Sequence, residues 1–219
     1  MDFSDTVRAG YNRIVEPYLA QRDADTPDVR LLARLIARLT PGASVLDAGC
    51  GAGVPITHHL AESFRVTGVD FAEAQLARAR RLVPAARFVC GDLRALSFSD
   101  ASFDAICSYY AIIHVPRDDH AALFARFARL LRPGGLALLC VGAQDLPFSE
   151  ETYFGVPMAW SHFDAATNER LLEAAGFRIE WTERVADAGA PGAGHLFVLA
   201  RRAAGGDGSA VSARRYAAG

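Results

Sequence analysis

Apolar positions near the start of the chain recur at steps of three and four. Val7, Tyr11, Ile14, Val15, Tyr18 and Leu19 share one helical face within residues 2–22. Pro17 falls inside that stretch. It has no N–H to donate and crowds the turn before it, so it should kink or divide the helix. A second helical period runs from about Val29 to Leu39, and Pro41-Gly42 stops it.

Beyond residue 41 short apolar runs alternate with helical periods. Strands are expected at Ser44–Ala48, Arg65–Asp70, Arg87–Cys90, Phe103–Tyr109 and Leu136–Val141. Helices are expected from about Val54 to Ser63, Glu73 to Leu82, Asp118 to Leu131 and Asp164 to Ala175. Asp164 suits an N-cap, and Gly176 suits the left-handed residue past the helix end. Ile179–Val185 and His195–Ala200 read as two closing strands. Repeated strand–helix units predict right-handed crossovers and a parallel sheet covered on both faces. The last two strands have no helix between them, so the final strand should run antiparallel. The expected fold is α/β, a doubly wound seven-stranded sheet under an N-terminal helical cover. Residues 1–40 form the cover, 41–202 the main domain, and 203–219, small and polar, a disordered tail. Phe148, Tyr153, Phe154, Pro157, Met158, Trp160 and Phe163 crowd a stretch without periodicity, read here as an irregular apolar lid.

Composition narrows the choices. A chain of 219 residues, 51% apolar and 22% charged, suits one soluble domain. Twenty-three basic residues against 25 acidic ones leave no excess to neutralise a phosphate backbone, so nucleic acid is not an expected partner. No apolar run approaches the ~18–20 residues that span a bilayer, and the first ten residues lack a secretory pattern. No membrane partner is therefore expected. Cys50, Cys90, Cys107 and Cys140 form no C-x-x-C pair and read as small buried hydrophobes. These features together point to the cytoplasm.

Val45–Gly53, V-L-D-A-G-C-G-A-G, carries the most chemistry. A strand ends, three glycines alternate and a helix begins. Glycine allows the tight turn and close approach of a ligand to the backbone. Asp70 ends the next strand, where this topology faces a ribose hydroxyl pair. The dinucleotide fingerprint G-x-G-x-x-G would need glycine at 54, where Val54 stands. Asp47 beside the loop would repel a pyrophosphate and attract an ammonium. S-adenosylmethionine has an ammonium, a sulfonium, a ribose and an adenine, and no phosphate.

Over about residues 11–200 the chain resembles the class I S-adenosylmethionine-dependent methyltransferases of the small methyltransferase-domain type, which are Rossmann-like. Asp47, Gly49, Gly51 and Gly53 match the family's first motif, and Cys50 within it is an expected cofactor contact. The resemblance implies that Asp70 holds the ribose and that Phe71 and Gln75 lie near the adenine. It implies that Asp92, with Leu93, accepts the adenine amino group. Ser108 and Tyr109 would end the fourth strand under the sulfonium, and Tyr11 and Tyr18 would close over the methionine end. Leu131-Arg132-Pro133-Gly134-Gly135 matches the family's turn into strand five.

Methyl transfer is an in-line displacement in which positioning is the main contribution, and a base is needed only where the acceptor must lose a proton. By topology His114, His162 and His195 fall near the site. His162 stands first, because it follows the aromatic stretch, with His114 and His195 as further candidates. Tyr110, Tyr153 and Trp160 are expected substrate contacts. His58, His59 and His120 read as helix-surface residues. Strand four ends at Ser108 rather than an acid and Asp145 has no obvious partner, so no metal is expected. The expected reaction moves a methyl group to an O, N or C atom of an aromatic or apolar small molecule. A nicotinamide-dependent oxidoreductase, a non-catalytic cofactor-binding module and an RNA or protein methyltransferase are the rivals; a basic stripe and an N-P-P-Y-type tetrapeptide after strand four are both missing.

Overall fold

A computed structural model describes residues 3–186 and 194–203. The expected tail, Ala203 apart, lies outside the described residues.

The chain begins with α1 (Phe3–Arg13) and α2 (Val15–Leu19). The break between them lies just ahead of Pro17, which can neither donate to the Arg13 carbonyl nor avoid it. The period over residues 29–39 resolves into two short helices, α3 (Pro27–Arg30) and α4 (Leu32–Ile36), rather than one. Then follow β1 (Ser44–Ala48), α5 (Ile56–Ala61), β2 (Arg65–Asp70), α6 (Glu73–Leu82), β3 (Arg87–Cys90), β4 (Phe103–Ser108), α7 (His120–Leu130) and β5 (Leu131–Gly142). The chain closes with β6 (Leu146–Tyr153), β7 (Val156–His162), α8 (Ala165–Ala174), β8 (Phe177–Ala186) and β9 (Gly194–Arg202). Asp164 caps α8 by accepting the Thr167 N–H at 2.7 Å, and Gly176 ends it at φ +91°.

Seven strands form one sheet in the order β3-β2-β1-β4-β5-β9-β8. Pairings from β3 to β5 are parallel, and β9 runs antiparallel to both β5 and β8. Successive residues of β1 serve opposite faces. Val45 joins the core under α3, α4 and α5, while Leu46 joins the core under α7 and α8. Strand β5 begins five residues earlier than the apolar run suggests, because Leu131 already pairs with Phe103. Residues 132–135, with Gly134 at φ +77°, bulge out before the ladder resumes at Leu136.

Three expectations are corrected. The aromatic stretch is not irregular: β6 and β7 form a two-stranded antiparallel hairpin turning at Phe154-Gly155, both at positive φ. Its aromatic residues and two prolines hide the alternation that marks a strand. Of the four cysteines expected to be buried, Cys107 and Cys140 are; Cys50, in the glycine loop, is half-buried, and Cys90 is exposed because β3 is the sheet's edge. His120 is fully buried rather than on the surface: it opens α7 against the loop after β4, with Nε2 donating to the Ile112 and Val115 carbonyls at 3.1 and 3.0 Å.

Candidate functional site

Strand order reverses between β1 and β4, and a crevice opens at their carboxyl ends. Gly49 and Gly51 turn the chain there at φ +85° and +52°. A Cβ on Gly49 would stand 2.1 Å from the Ala111 Cβ, so only glycine fits beneath the loop after β4. Asp70 clamps the turn: its Oδ2 accepts the Gly51 N–H and its Oδ1 the Ala72 N–H, both at 2.9 Å. The carboxylate also borders the crevice, where a ligand hydroxyl can reach it. Burial raises the Asp70 pKa while the backbone N–H bonds oppose the rise.

Two recesses meet along this loop. The larger holds about 640 Å³ including its mouth, with Tyr11, Asp70, Phe71, Asp92, Leu93, Tyr110 and His114 in its wall. The smaller is walled by Arg22, Asp47, Cys50, Ala52 and Val54. Tyr18, Gly49, Gly51 and Tyr109 line both, so the two form one elongated cleft. Asp47 is 1% exposed and accepts the Thr57 hydroxyl at 2.5 Å. Burial pushes its pKa up to about 7 against the pull of that bond and of Arg22. The Arg22 guanidinium stands 5.3 Å from the Tyr110 ring centroid and 6.0 Å from that of Tyr18. The small recess thus offers a carboxylate and a guanidinium. Tyr110 sits at φ 54°, a conformation costly for a bulky residue and characteristic of functional sites.

The N-terminal helices roof the cleft, and α1 is joined to α6 by reciprocal capping. Asn12 Oδ1 accepts the Ala74 N–H in the first turn of α6 at 2.9 Å; α6 has no cap of its own. Gln75 Nε2 in turn donates to the Tyr11 carbonyl, near the end of α1, at 3.2 Å. Each side chain satisfies a terminal group of the other helix. His114 ties the roof to β7. Nδ1 must donate to the Ala159 carbonyl at 2.7 Å, which leaves Nε2 to accept the Tyr11 hydroxyl at 2.9 Å. Burial lowers the His114 pKa to about 4, so the ring is neutral.

The cleft therefore gathers Tyr11, Tyr18, Asp47, Gly49, Cys50, Gly51, Asp70, Phe71, Asp92, Leu93, Tyr109, Tyr110 and His114 from the expected set. Gly53 lies elsewhere, close against Ala79, Val83 and Phe88. Gln75 serves the roof, and Ser108 is buried with its hydroxyl donating to the Ala48 carbonyl at 2.8 Å. Tyr153 and Trp160 stand behind the roof, their rings 6.4 Å from Tyr18 and 5.5 Å from His114. His162 lines neither recess. Its ring lies on the Gly142 backbone with Nδ1 bonded to the Gln144 carbonyl at 2.8 Å, and burial lowers its pKa. His195 meets the cleft wall edge-on, 5.1 Å from the Tyr110 ring. Asp145 pairs with Arg117 at 2.9 Å.

Arg22, Thr57, Arg94 and Asn12 belong to the site without having been expected. Arg22 lies in the polar run Q-R-D-A-D-T-P-D, which reads as a loop, and Thr57 reaches Asp47 from one helix on. Only Arg94, two residues after Asp92, carried a local sign, since Asp92 accepts its backbone N–H as a cap at 2.8 Å.

The cleft fits S-adenosylmethionine on its own chemistry. It has a carboxylate and a cation for an amino-acid end, a second carboxylate on its wall for a ribose, and an apolar wall ending in Asp92 for a base.

Comparison with known proteins agrees. Residues 45–135 match the methyltransferase domain family. The 2-methyl-6-phytyl-1,4-hydroquinone methyltransferase of Synechocystis is 40% identical over 106 residues, 46% of this chain and 32% of that protein. The malonyl-[acyl-carrier protein] O-methyltransferase of Enterobacter lignolyticus is 35% identical over 147 residues, 64% of this chain and 55% of that one. The chain thus spans about a third to just over half the length of these curated relatives. The structure of a Burkholderia thailandensis 1,6-didemethyltoxoflavin N1-methyltransferase, with 1,6-didemethyltoxoflavin and S-adenosylhomocysteine bound, superposes with a TM-score of 0.71 at 25% identity, covering 92% of this chain and 89% of that one. Among the described residues no helix is long and apolar enough to cross a membrane.

Proposed function

The chain belongs to the class I S-adenosylmethionine-dependent methyltransferases, and from that premise we propose that it transfers a methyl group from S-adenosylmethionine to an O, N or C atom of a small aromatic or apolar acceptor, releasing S-adenosylhomocysteine. One observation carries the reading. Asp47 and Arg22 share a recess that runs into the one holding Asp70 and Asp92. A single ligand with a zwitterionic end, a ribose and a base accounts for all four groups, and a dinucleotide does not.

When bound, the cofactor supplies a methyl group made electrophilic by its sulfonium. Arg22 would meet the carboxylate of the methionine moiety and Asp47 its ammonium, while Asp70 would hold the ribose hydroxyls. Tyr11 and Tyr18 close the roof and exclude water, and the loop 109–111 forms the floor between the two recesses. With cofactor and acceptor held in line, proximity supplies most of the rate. Where the acceptor must lose a proton, we assign the base to His195. Its ring packs edge-on against that of Tyr110, which lines the larger recess, at 5.1 Å, whereas the His162 ring lies over Gly142. The aromatic hairpin behind the roof supports an aromatic or apolar acceptor. The Burkholderia relative has 1,6-didemethyltoxoflavin bound beside S-adenosylhomocysteine.

The test is turnover. The protein is incubated with methyl-labelled S-adenosylmethionine and a panel of aromatic phenols, amines and carboxylic acids, and label and S-adenosylhomocysteine are followed together. Stoichiometric transfer to any member supports the reading. Tight cofactor binding with no transfer across a broad panel would favour a non-catalytic binding module.

A further inference from the structure

We propose that Arg94 is a positioning residue for the adenine end of the cleft: it holds the Asp92 carboxylate in the one orientation that accepts an exocyclic amino group, and so sets the preference of the site for adenine over a 6-oxo purine. The inference rests on the reading above, in which the base of the cofactor lies beside Asp92.

Asp92 follows β3 and caps a single helical turn, Leu93–Ala95, by accepting the Arg94 N–H at 2.8 Å on Oδ1. That bond alone leaves the plane of the carboxylate free to turn. The Arg94 side chain removes the freedom. Its Nη2 donates to Oδ2 at 2.7 Å, and its Nε lies 3.0 Å from Oδ2 and 3.2 Å from Oδ1. A planar fork against a planar carboxylate fixes both groups. The third nitrogen, Nη1, reaches Asp119 Oδ2 at 3.3 Å, just before α7, so the fork is itself anchored on a second element. Both Asp92 and Arg94 line the larger recess.

A carboxylate offers about four acceptor sites. The Arg94 backbone N–H, Nε and Nη2 occupy three, and one remains for an incoming N–H. An adenine amino group can fill it; a carbonyl at the same ring position meets the carboxylate with like polarity. Burial would raise the Asp92 pKa, but Arg94 outweighs it and holds the carboxyl below the usual range, so it stays an acceptor. The pair is one-third exposed on each side. Such a pair adds little to folding stability, and its effect is chiefly on orientation.

Calorimetric titration with S-adenosylhomocysteine and with S-inosylhomocysteine, which has oxygen in place of the amino group, tests this without turnover. Wild type should prefer the adenine ligand by about 30- to 100-fold, the scale of one hydrogen bond to a charged group. Arg94→Ala should still bind both, with the preference reduced about tenfold. Arg94→Lys should show the same narrowing, because an ammonium keeps the charge but not the fork. The lysine variant decides the matter if the alanine variant does not fold. A loop that merely loosened would weaken both ligands alike, so an unchanged preference in the Arg94 variants overturns the proposal. A wild-type protein that binds both ligands equally overturns the placement of the adenine at Asp92 and the proposal with it. Failure to bind either would instead overturn the proposed function.

Discussion

The Tyr11 hydroxyl donates to His114 Nε2 across 2.9 Å, joining the first helix to a loop 103 residues later. The same ring bonds β7 through Ala159, so one neutral histidine fastens the roof, the sheet and the hairpin together. Tyr11→Phe removes the donor and leaves Nε2 buried without a partner. We expect denaturant unfolding to show a loss of about 1–3 kcal/mol. S-adenosylhomocysteine affinity should fall with it, because the roof is then held less firmly. Unchanged stability and affinity would show that the bond does not fasten the roof.

Asn12→Ala removes one half of the reciprocal cap between α1 and α6. The expected cost is about 1 kcal/mol, the usual value of a lost N-cap. Hydrogen exchange should quicken in residues 3–19 and at the start of α6, and not in β8 and β9. Uniform change across the chain would mean that the cap supports the whole fold rather than the roof.

Much of this was legible in sequence, and the limits are physical. The strands β1 to β5 and their crossovers follow from the alternation of periods, and Asp47, Asp70 and the glycines from their place at strand ends. The hairpin was not legible, since Pro147, Pro157 and aromatic residues at both parities conceal a period of two. Nor were the partners that meet only on folding. Arg22 reaches the Asp47 recess from a polar loop, and Thr57, on α5, bonds Asp47 ten residues away. His162 shares a strand face with Trp160, two residues before it, but it ends β7 over Gly142 and lines neither recess, which its place in the chain does not reveal.

The three histidines should separate under mutation. If the acceptor carries a proton that must leave, His195→Ala should lower kcat by about 10²–10⁴, the range for a lost base, with cofactor affinity little changed. His162→Ala should alter kcat only slightly, and His114→Ala should act on stability and affinity as Tyr11→Phe does. A large kcat loss confined to His162→Ala would overturn the assignment to His195.

Asp47 predicts a pH dependence of binding. Its pKa is raised to about 7 by burial in the free protein. An ammonium bound beside it favours the ionised form and lowers that pKa, so binding below pH 7 must release a proton. Affinity for S-adenosylhomocysteine should therefore fall as pH drops through 7, by roughly tenfold per unit, and level off above it. Asp47→Asn should bind more weakly at neutral pH and lose this dependence. Equal pH profiles for the two proteins would remove Asp47 from the ammonium site.

On the proposed reading, one continuous cleft holds S-adenosylmethionine through Asp47 and Arg22 at one end and Asp70 and Asp92 at the other. The most direct test of that reading is calorimetric titration of wild type, Asp70→Ala and Arg22→Ala with S-adenosylhomocysteine, and of wild type with a nicotinamide dinucleotide. The account predicts one saturable site for S-adenosylhomocysteine, weakened by about 10- to 100-fold in each variant while the fold is kept, and no binding of the dinucleotide. Dinucleotide binding to wild type, or undiminished affinity in folded Asp70→Ala and Arg22→Ala, would contradict it.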